Sequence, residues 1–536
     1  MLSRSMKTDG ESSHVGPEAS ASGSKRAPGG EIISFSIIPS VRIEPAVGYV
    51  WPRSTFTSLA LRYTIEFIPT NPWPPFRTFP PFQIFRSNAK YADGECLPLK
   101  ATSCGRSYPT YRFLYQPIFV WESGTWGPVP RWLSPPDTTV IERLSRSHLQ
   151  LPASCHLAMT FFSEGAFNKL YSIAVSDEDG NIGSPRYIFR ATSPVEPFYK
   201  TASEAATLSY IREHTSVPVP RVIAYSSAEN ELGCEWILME KVPGVALANV
   251  WSDIDLETKS RETRIIAGFV RQLQDIQRRF TAIGNLYFRK DIDTLNAAVR
   301  VVPTDDEKYV LGPIVTPYMF AGGRKLRVPR NLGPYPNDGE YISALIAAET
   351  EEMKLLLSED AHSYADFDED LAEDAEDIVE VLNELQTIST TLFPSRPRYF
   401  ALRHHDLSPE NILVDPGTYK VTGIVDWECV GTRPHWEDTY PLFLFGPEIE
   451  GEADRPAPGD RDEFRVERWE NWEKMKLRPV FDRELGEARH QYDEEDEVRR
   501  EFRKQLDWVE ISQRKVKNWM KEYVEGRVQI QSDATE

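Results

Sequence analysis

Leu402-Arg403-His404-His405-Asp406-Leu407-Ser408-Pro409-Glu410-Asn411-Ile412-Leu413-Val414-Asp415 holds an aspartate and an asparagine in the pattern H-x-D-x-x-x-x-N, then runs into an apolar triplet of strand-forming residues. Fifteen residues after Asn411 a second run, Gly423-Ile424-Val425, ends on Asp426 and continues as Trp427-Glu428. Between them Pro416-Gly417-Thr418-Tyr419 reads as a turn, with Gly417 at the position that needs special backbone freedom. The two runs then form a hairpin that returns Asn411 and Asp426 to one place. Such groups suit phosphoryl transfer, which asks a protein mainly to position an acceptor and neutralise charge on a triphosphate. Asp406 can take the proton of an acceptor hydroxyl or orient that hydroxyl. Asn411 and Asp426 can offer oxygens to Mg2+, a hard cation that prefers oxygen ligands and the substrate's own phosphates.

Upstream, Asp137 to Leu149 reads as a short helix, and 157–162, 170–175 and 187–191 read as strands. A helix over Ala202–Glu213 follows, with Ala205, Leu208 and Ile211 at helical spacing, and then strands over 221–225 and 235–240. Three strands, a helix and two strands make a small antiparallel sheet carrying one helix. Beyond 255 the periodicity is mostly helical. Ile265, Ile266, Phe269, Val270, Leu273 and Ile276 form one apolar stripe; Ile342, Leu345, Ile346, Met353, Leu356 and Leu357 form a second; Ile378, Val381, Leu382, Leu385, Ile388 and Leu392 form a third. All three read as core-facing. The acidic run Asp366–Asp377 reads as a loop and helix start, and the tail from 462 to 526 as charged helix interrupted near Pro479. The domain plan is a disordered tail at 1–31, a Pro- and aromatic-rich irregular extension of unknown role at 32–135, a sheet lobe at 136–244, a helical lobe with the catalytic loop at 245–490, and a charged helical tail at 491–536. Clusters such as Asn71-Pro72-Trp73-Pro74-Pro75-Phe76 leave little room for regular structure in the extension.

HHDLSPENILVD at 404–415 and TGIVDWE at 422–428 resemble the catalytic-loop and metal-binding motifs of the aminoglycoside phosphotransferase and choline kinase group, in its fungal form. Two motifs in this order and spacing make the likeness specific, and it extends over about 136–490. It implies an α+β, protein-kinase-like, two-lobed fold: a small antiparallel sheet with one helix, then a larger and mainly helical lobe. It implies ATP and Mg2+ as cofactors, Asp406 and His404 as the catalytic pair (with His404 as scaffold rather than base), and Asn411 and Asp426 as metal ligands. Ser163-Glu164-Gly165-Ala166-Phe167-Asn168-Lys169 resembles the family's strand–turn–strand phosphate loop, which puts Gly165, Phe167 and Asn168 at the nucleotide. With one glycine, the same residues taken alone read as a plain hairpin turn. Arg190 stands where the family has its phosphate-binding lysine, keeping the charge but changing the donor geometry. Glu204 matches the glutamate that pairs with that cation; by itself it also reads as an ordinary solvated helix residue. The 236–244 segment resembles the hinge between lobes, where the Glu240 carbonyl and the Val242 amide would hold adenine and Met239 would face it. Periodicity alone makes Met239 a core residue just as readily. Trp427, Glu428, Trp436 and Glu437 fall where the family places its acceptor-site wall, and aromatic faces with carboxylates suit an amine-bearing acceptor. Packing is the simpler job for Trp436.

At 536 residues the chain is long enough for two or three domains. A formal net charge of −20 argues against general attraction to nucleic acid and suits a cationic substrate, although an acidic surface also simply keeps a protein soluble. Five scattered cysteines without CxxC spacing argue against a disulfide framework or a zinc site and for a reducing compartment. No apolar run approaches the roughly 18–20 residues that span a bilayer, so no membrane partner is expected. Arg4, Lys7, Lys25 and Arg26 are mixed with Asp9, Glu11 and Glu18; a mitochondrial transit peptide is poor in acids, which makes the cytoplasm the expected compartment. The whole reads as a small-molecule kinase acting on a hydroxylated acceptor. The alternative is a catalytically weak, pseudokinase-like scaffold of the same fold, motivated by Arg190. Asp426-Trp427-Glu428 in place of Asp-Phe-Gly sets a protein-serine kinase aside. The acceptor's identity and the oligomeric state stay open.

Overall fold

The computed structural model describes residues 118–526, less 125–126, 178–179, 276–279, 296–298, 360, 364–366, 394–398, 438–439, 447–464 and 487–493. The expectations for 1–31 and for 32–117 lie outside the described residues. Where the extension is described it is ordered as a hairpin, β1 (Phe119–Gly124) against β2 (Gly127–Trp132). Its prolines do not prevent this, for a reason of parity. The Leu133 amide donates to the Ile118 carbonyl at 2.8 Å, so the odd-numbered amides of β2 face β1. Pro128 and Pro130 therefore lack only donors on the unpaired outer edge, where a strand tolerates proline. Phe119 and Trp121 pack beside Phe167, Phe198 and Phe320.

Helix α1 (Thr138–His148) starts where Asp137 accepts from the Thr139 amide at 2.8 Å. The small lobe follows as β3 (Leu157–Glu164), β4 (Asn168–Val175), β5 (Tyr187–Thr192), helix α2 (Tyr199–His214), β6 (Val222–Ser226) and β7 (Glu235–Glu240), with antiparallel sheet order β3-β4-β5-β7-β6. Strand side chains alternate between faces. Tyr171, Ile173, Phe189, Trp236 and Leu238 line one face with Ile141 of α1. The register Leu170↔Arg190↔Ile237 and Ile188↔Met239 puts Arg190 and Met239 together on the other. Helix α2 is buried around most of its circumference, which is why its apolar periodicity is weak in the sequence. It begins earlier than Ala202. Phe198 takes a left-handed φ of 68° just before it, and its amide donates to Glu235 Oε1 at 2.6 Å.

From β7 the chain passes Gly244 into β8 (Val245–Ala246). Gly244 has φ +116°, and a Cβ there would lie 2.5 Å from the Val414 carbonyl oxygen and 2.7 Å from Thr422 Oγ1. Only glycine lets the hinge pass this close to the catalytic hairpin. The large lobe is helical as expected in α3 (Leu256–Asp275), α4 (Asp338–Leu356), α5 (Glu369–Leu392), α6 (Arg465–Leu485), α7 (Glu494–Trp508) and α8 (Gln513–Val524). It also holds an unexpected five-stranded sheet. Strands β9 (Asn285–Phe288), β10 (Val302–Pro303), β11 (Tyr309–Gly312) and β12 (Ala401–Arg403) belong to it, as does a late strand after the catalytic hairpin. These strands are two to four residues long, too short to show a period of two.

Three details of the helical reading change. Ile265 and Leu357 are exposed, 36% and 43%; each sits about 100° around the helix from a buried neighbour, Ile266 or Leu356. Pro479 does not interrupt α6, which runs through it. Leu477 and Phe481 are buried on either side, Arg478 donates to the Leu444 carbonyl at 3.0 Å, and Lys259 of α3 is ion-paired to Glu473 at 2.6 Å. That anchoring outweighs the one backbone hydrogen bond proline forgoes. Helix α5 takes in most of the acidic run, capped by Asp368 accepting from the Leu371 amide at 3.0 Å.

Candidate active site

The catalytic loop leaves the large-lobe sheet at β12 and enters β13 (Ile412–Val414), which pairs with β8 on one side and β14 (Val421–Ile424) on the other. After β14 the chain crosses 425–430 and rejoins the sheet as β15 (Gly431–Arg433), beside β12. Both functional loops are thus held at their two ends by strands of the same lobe. The hairpin turn is organised by Asp415, whose Oδ1 accepts from the Gly417 and Thr418 amides at 3.1 and 2.8 Å. The left-handed residue is Tyr419, φ 58°, and not Gly417 as the sequence suggested.

Within this frame the Asn411 side chain donates to Asp406 at its backbone oxygen, 2.9 Å, and at Oδ2, 3.0 Å. The Val425 amide donates to the Asn411 carbonyl at 2.9 Å, tying the loop that carries Asp426 to the loop that carries Asp406. His404 adds a second tie. Burial pushes its imidazole down to about 4, so the neutral ring donates Nε2–H to the Val425 carbonyl at 3.1 Å. Asp426 then turns into the left-handed region, φ 64°, a strained conformation for a residue with a Cβ.

The small lobe reaches this point through Arg190. Its guanidinium is ion-paired to Glu204 of α2, with both side chains almost fully buried, and its Nη1 lies 3.5 Å from Asp426 Oδ1. Burial pushes the Asp406 carboxyl up to about 6, against the hydrogen bond from Asn411. Loss of water and the neighbouring Glu428 carboxylate push Asp426 up as well, against Arg190. Glu428 goes the other way: burial would raise it, but the Lys200 ammonium and then Arg190 hold it well below the usual carboxylate range.

The remaining sequence candidates fall into three groups. Gly165 sits in an open turn whose amide donates to the Asn168 carbonyl at 2.9 Å. Phe167 anchors that turn to the large lobe, its ring edge-to-face with Phe320 at 5.5 Å. The Asn168 side chain is spent internally, donating to Glu428 Oε2 at 2.8 Å and accepting from Thr192 at 3.0 Å. At the hinge, Met239 is buried beside Ile188 and Ile237, the Glu240 carboxylate is paired with Arg221 at 2.7 Å, and the Val242 amide makes no hydrogen bond among the described residues. Trp427 is inside the fold, donating Nε1–H to the Ile424 carbonyl at 2.9 Å with its ring against His404. Trp436 is wholly buried, donating to Asp338 Oδ2 at 2.7 Å; packing is the work the structure gives it. Glu437 lies 3.9 Å from Arg403 Nη1.

One residue of the constellation has no counterpart in the sequence reading. Lys200, 1% exposed, places its ammonium 2.5 Å from Glu428 Oε2. It precedes Glu204 by one helical turn, and that spacing, beside a loop with more carboxylates than Arg190 can balance, was the available signal.

Residues 159–478 match the phosphotransferase enzyme family, and the chain belongs to that family. Among its relatives is a subtelomeric hrmA-associated cluster protein of Aspergillus fumigatus, 28% identical over 319 residues, 52% of this chain and 59% of the relative. Another is altered inheritance of mitochondria protein 9, mitochondrial, of Meyerozyma guilliermondii, 26% identical over 355 residues, 61% of this chain and 57% of that one. The chain thus spans less than two thirds of the length of either. Of solved structures it is similar to a thermostable mutant of aminoglycoside phosphotransferase APH(4)-Ia in its apo form, at TM-score 0.35 and 15% identity, covering 73% of this chain and 96% of that one.

Proposed function

We propose that this protein is an ATP-dependent small-molecule kinase that moves the γ-phosphoryl group to a hydroxyl of a small metabolite. The observation that carries the reading is the meeting of Asp406, Asn411, Asp426 and Arg190, two loops and a strand brought to one point. The donor set fits a nucleotide-bound Mg2+. Asn411 spends its NH2 on Asp406 and keeps Oδ1 as a neutral oxygen donor, and Asp426 brings a carboxylate that remains 32% exposed. When bound, ATP with Mg2+ supplies the phosphoryl group and the positive charge that steadies its oxygens. Asp406 orients the acceptor hydroxyl and takes its proton. Its Oδ2 is held by Asn411, which leaves Oδ1 for the acceptor. Arg190 offers forked donors to the phosphates, the turn at Gly165 lets backbone approach them, and the free Val242 amide suits adenine.

The test is Mg2+-dependent ATP turnover by the purified chain against a library of hydroxylated metabolites, cationic ones included because the net charge is −20. A folded sample that neither binds nor turns over ATP with Mg2+ overturns the reading. Arg190 in the lysine position favours the second reading, a scaffold of the same fold that binds without turnover. Nucleotide binding with no turnover on any acceptor would select it. For the compartment we propose the cytoplasm; the yeast relatives carry "mitochondrial" in their names, and fractionation of the tagged full chain separates the two.

A further inference from the structure

Helix α2 reaches the loop after β14 with two side chains one turn apart, of opposite sign. Glu204 holds Arg190, which faces Asp426, and Lys200 holds Glu428 directly. The Lys200 ammonium is also 3.5 Å from Asn168 Oδ1 and 5.5 Å from the centre of the Phe167 ring. Asn168 closes the triangle by donating to the same Glu428 oxygen at 2.8 Å, and Thr192 fixes its amide from β5. One buried cation thus joins three segments: the helix that carries it, the hairpin turn at 165–168, and the loop that carries Asp426. Asp426 and Glu428 are like charges two residues apart on that loop, and each is met by its own cation, Arg190 and Lys200.

We infer that Lys200 is a positioning residue for nucleotide binding: it latches the 165–168 turn to the Asp426 loop through Glu428 and Asn168, and so keeps Glu428 off the metal and phosphate position that Asp426 serves. This deepens the kinase reading above and rests on it. The latch explains why Asn168, at the end of the turn, faces inward. Its amide is part of the fastening, and the turn's backbone is what remains for phosphate. It also explains a second charged residue on α2 where one pair, Arg190 with Glu204, already steadies the site.

The experiment titrates a fluorescent N-methylanthraniloyl ATP analogue, with Mg2+, into the full chain, its Lys200→Arg and Lys200→Met variants and the double variant Lys200→Met/Glu428→Gln. Melting temperatures and steady-state constants are read alongside. Lys200→Met is expected to weaken nucleotide binding tenfold or more, because it leaves Glu428 loose beside the phosphates. KM for ATP rises more than kcat falls. Lys200→Arg stays within about threefold of the parent. The double variant, with no unpaired buried charge, recovers part of the loss and still binds at least threefold more weakly than the parent, since the fastening is gone. Should Lys200→Met fail to fold, the double variant against the parent decides by that same threefold margin. Parental nucleotide affinity in Lys200→Met or in the double variant, with only the melting temperature lowered, overturns the inference: Lys200 would then be a stability pair alone. A parent that shows no Mg2+-dependent binding of the analogue sinks the kinase reading itself, which is a different failure.

Discussion

The side-chain amide of Asn411 donates to Asp406 Oδ2 at 3.0 Å, so the residue that offers an oxygen to the metal is also the one that aims the base. Asp406→Asn keeps an oxygen for that hydrogen bond and removes the proton acceptor. Turnover is expected to fall by about 10²–10⁴, while the rise in melting temperature on adding ATP with Mg2+ stays near the parental value. Asn411→Ala removes both functions and is expected to lose turnover and raise the Mg2+ requirement together. Unchanged turnover in Asp406→Asn would mean that another group takes the proton.

Gly244 offers a test of the hinge that is independent of chemistry. Its φ is +116° and an added Cβ would lie 2.5 Å from the Val414 carbonyl oxygen, which leaves no room for a methyl group. Gly244→Ala combines backbone strain with a clash, each costing about 1–3 kcal/mol, and is expected to shift the urea midpoint clearly downward. An unchanged midpoint would show that hinge and hairpin separate freely.

The Asp406, Asn411 and Asp426 constellation was legible because its residues lie in two short runs whose strand pattern forces them together. The strand–helix–strand order of the small lobe was legible for a similar reason: β4, β5 and β7 are six to eight residues long and rich in apolar strand formers. The large-lobe sheet was not. Asn285 shows why: its side chain bonds Ser203, the Val430 carbonyl and the Val315 amide, each at 3.0 Å, contacts that join four distant segments. No local period encodes such a node. Lys200 escaped for the same cause, since its partner lies 228 residues away. Pro479 misled in the opposite direction, because the cost of a proline in a helix is local and the anchoring of α6 is not.

Glu235 gives a pH signature. Burial pushes its carboxyl up to about 7 from an ordinary 4.5, against the hydroxyl of Thr201 and the amide of Phe198. A carboxyl that holds its proton more tightly when folded contributes stability that is full below about pH 4.5. That stability is lost as pH rises toward 7, on the order of 3 kcal/mol at most. Glu235→Gln keeps Oε1 for the Phe198 amide and cannot ionise. Thermal melts are therefore expected to coincide with the parent at pH 4.5 and to lie several degrees higher at pH 8. A difference that does not grow between these pH values would place the Glu235 proton elsewhere.

Arg190 decides between enzyme and scaffold. Its guanidinium serves Glu204 and Asp426 at once, through nitrogens held apart in a planar fork that the compact lysine ammonium does not reproduce. If the site is built around arginine, Arg190→Lys changes the spacing of the donors that Glu204 and Asp426 meet. The expected result is a KM for ATP raised about tenfold, kcat within a few fold of the parent, and a small fall in melting temperature. Arg190→Ala goes further and strips the cation from a buried pair, a loss of about 3–5 kcal/mol, so it is expected to report on folding rather than on nucleotide. The opposite outcome has a distinct meaning. Turnover that rises in Arg190→Lys would show that arginine restrains a competent site, because lysine would then restore what the rest of the constellation already supports.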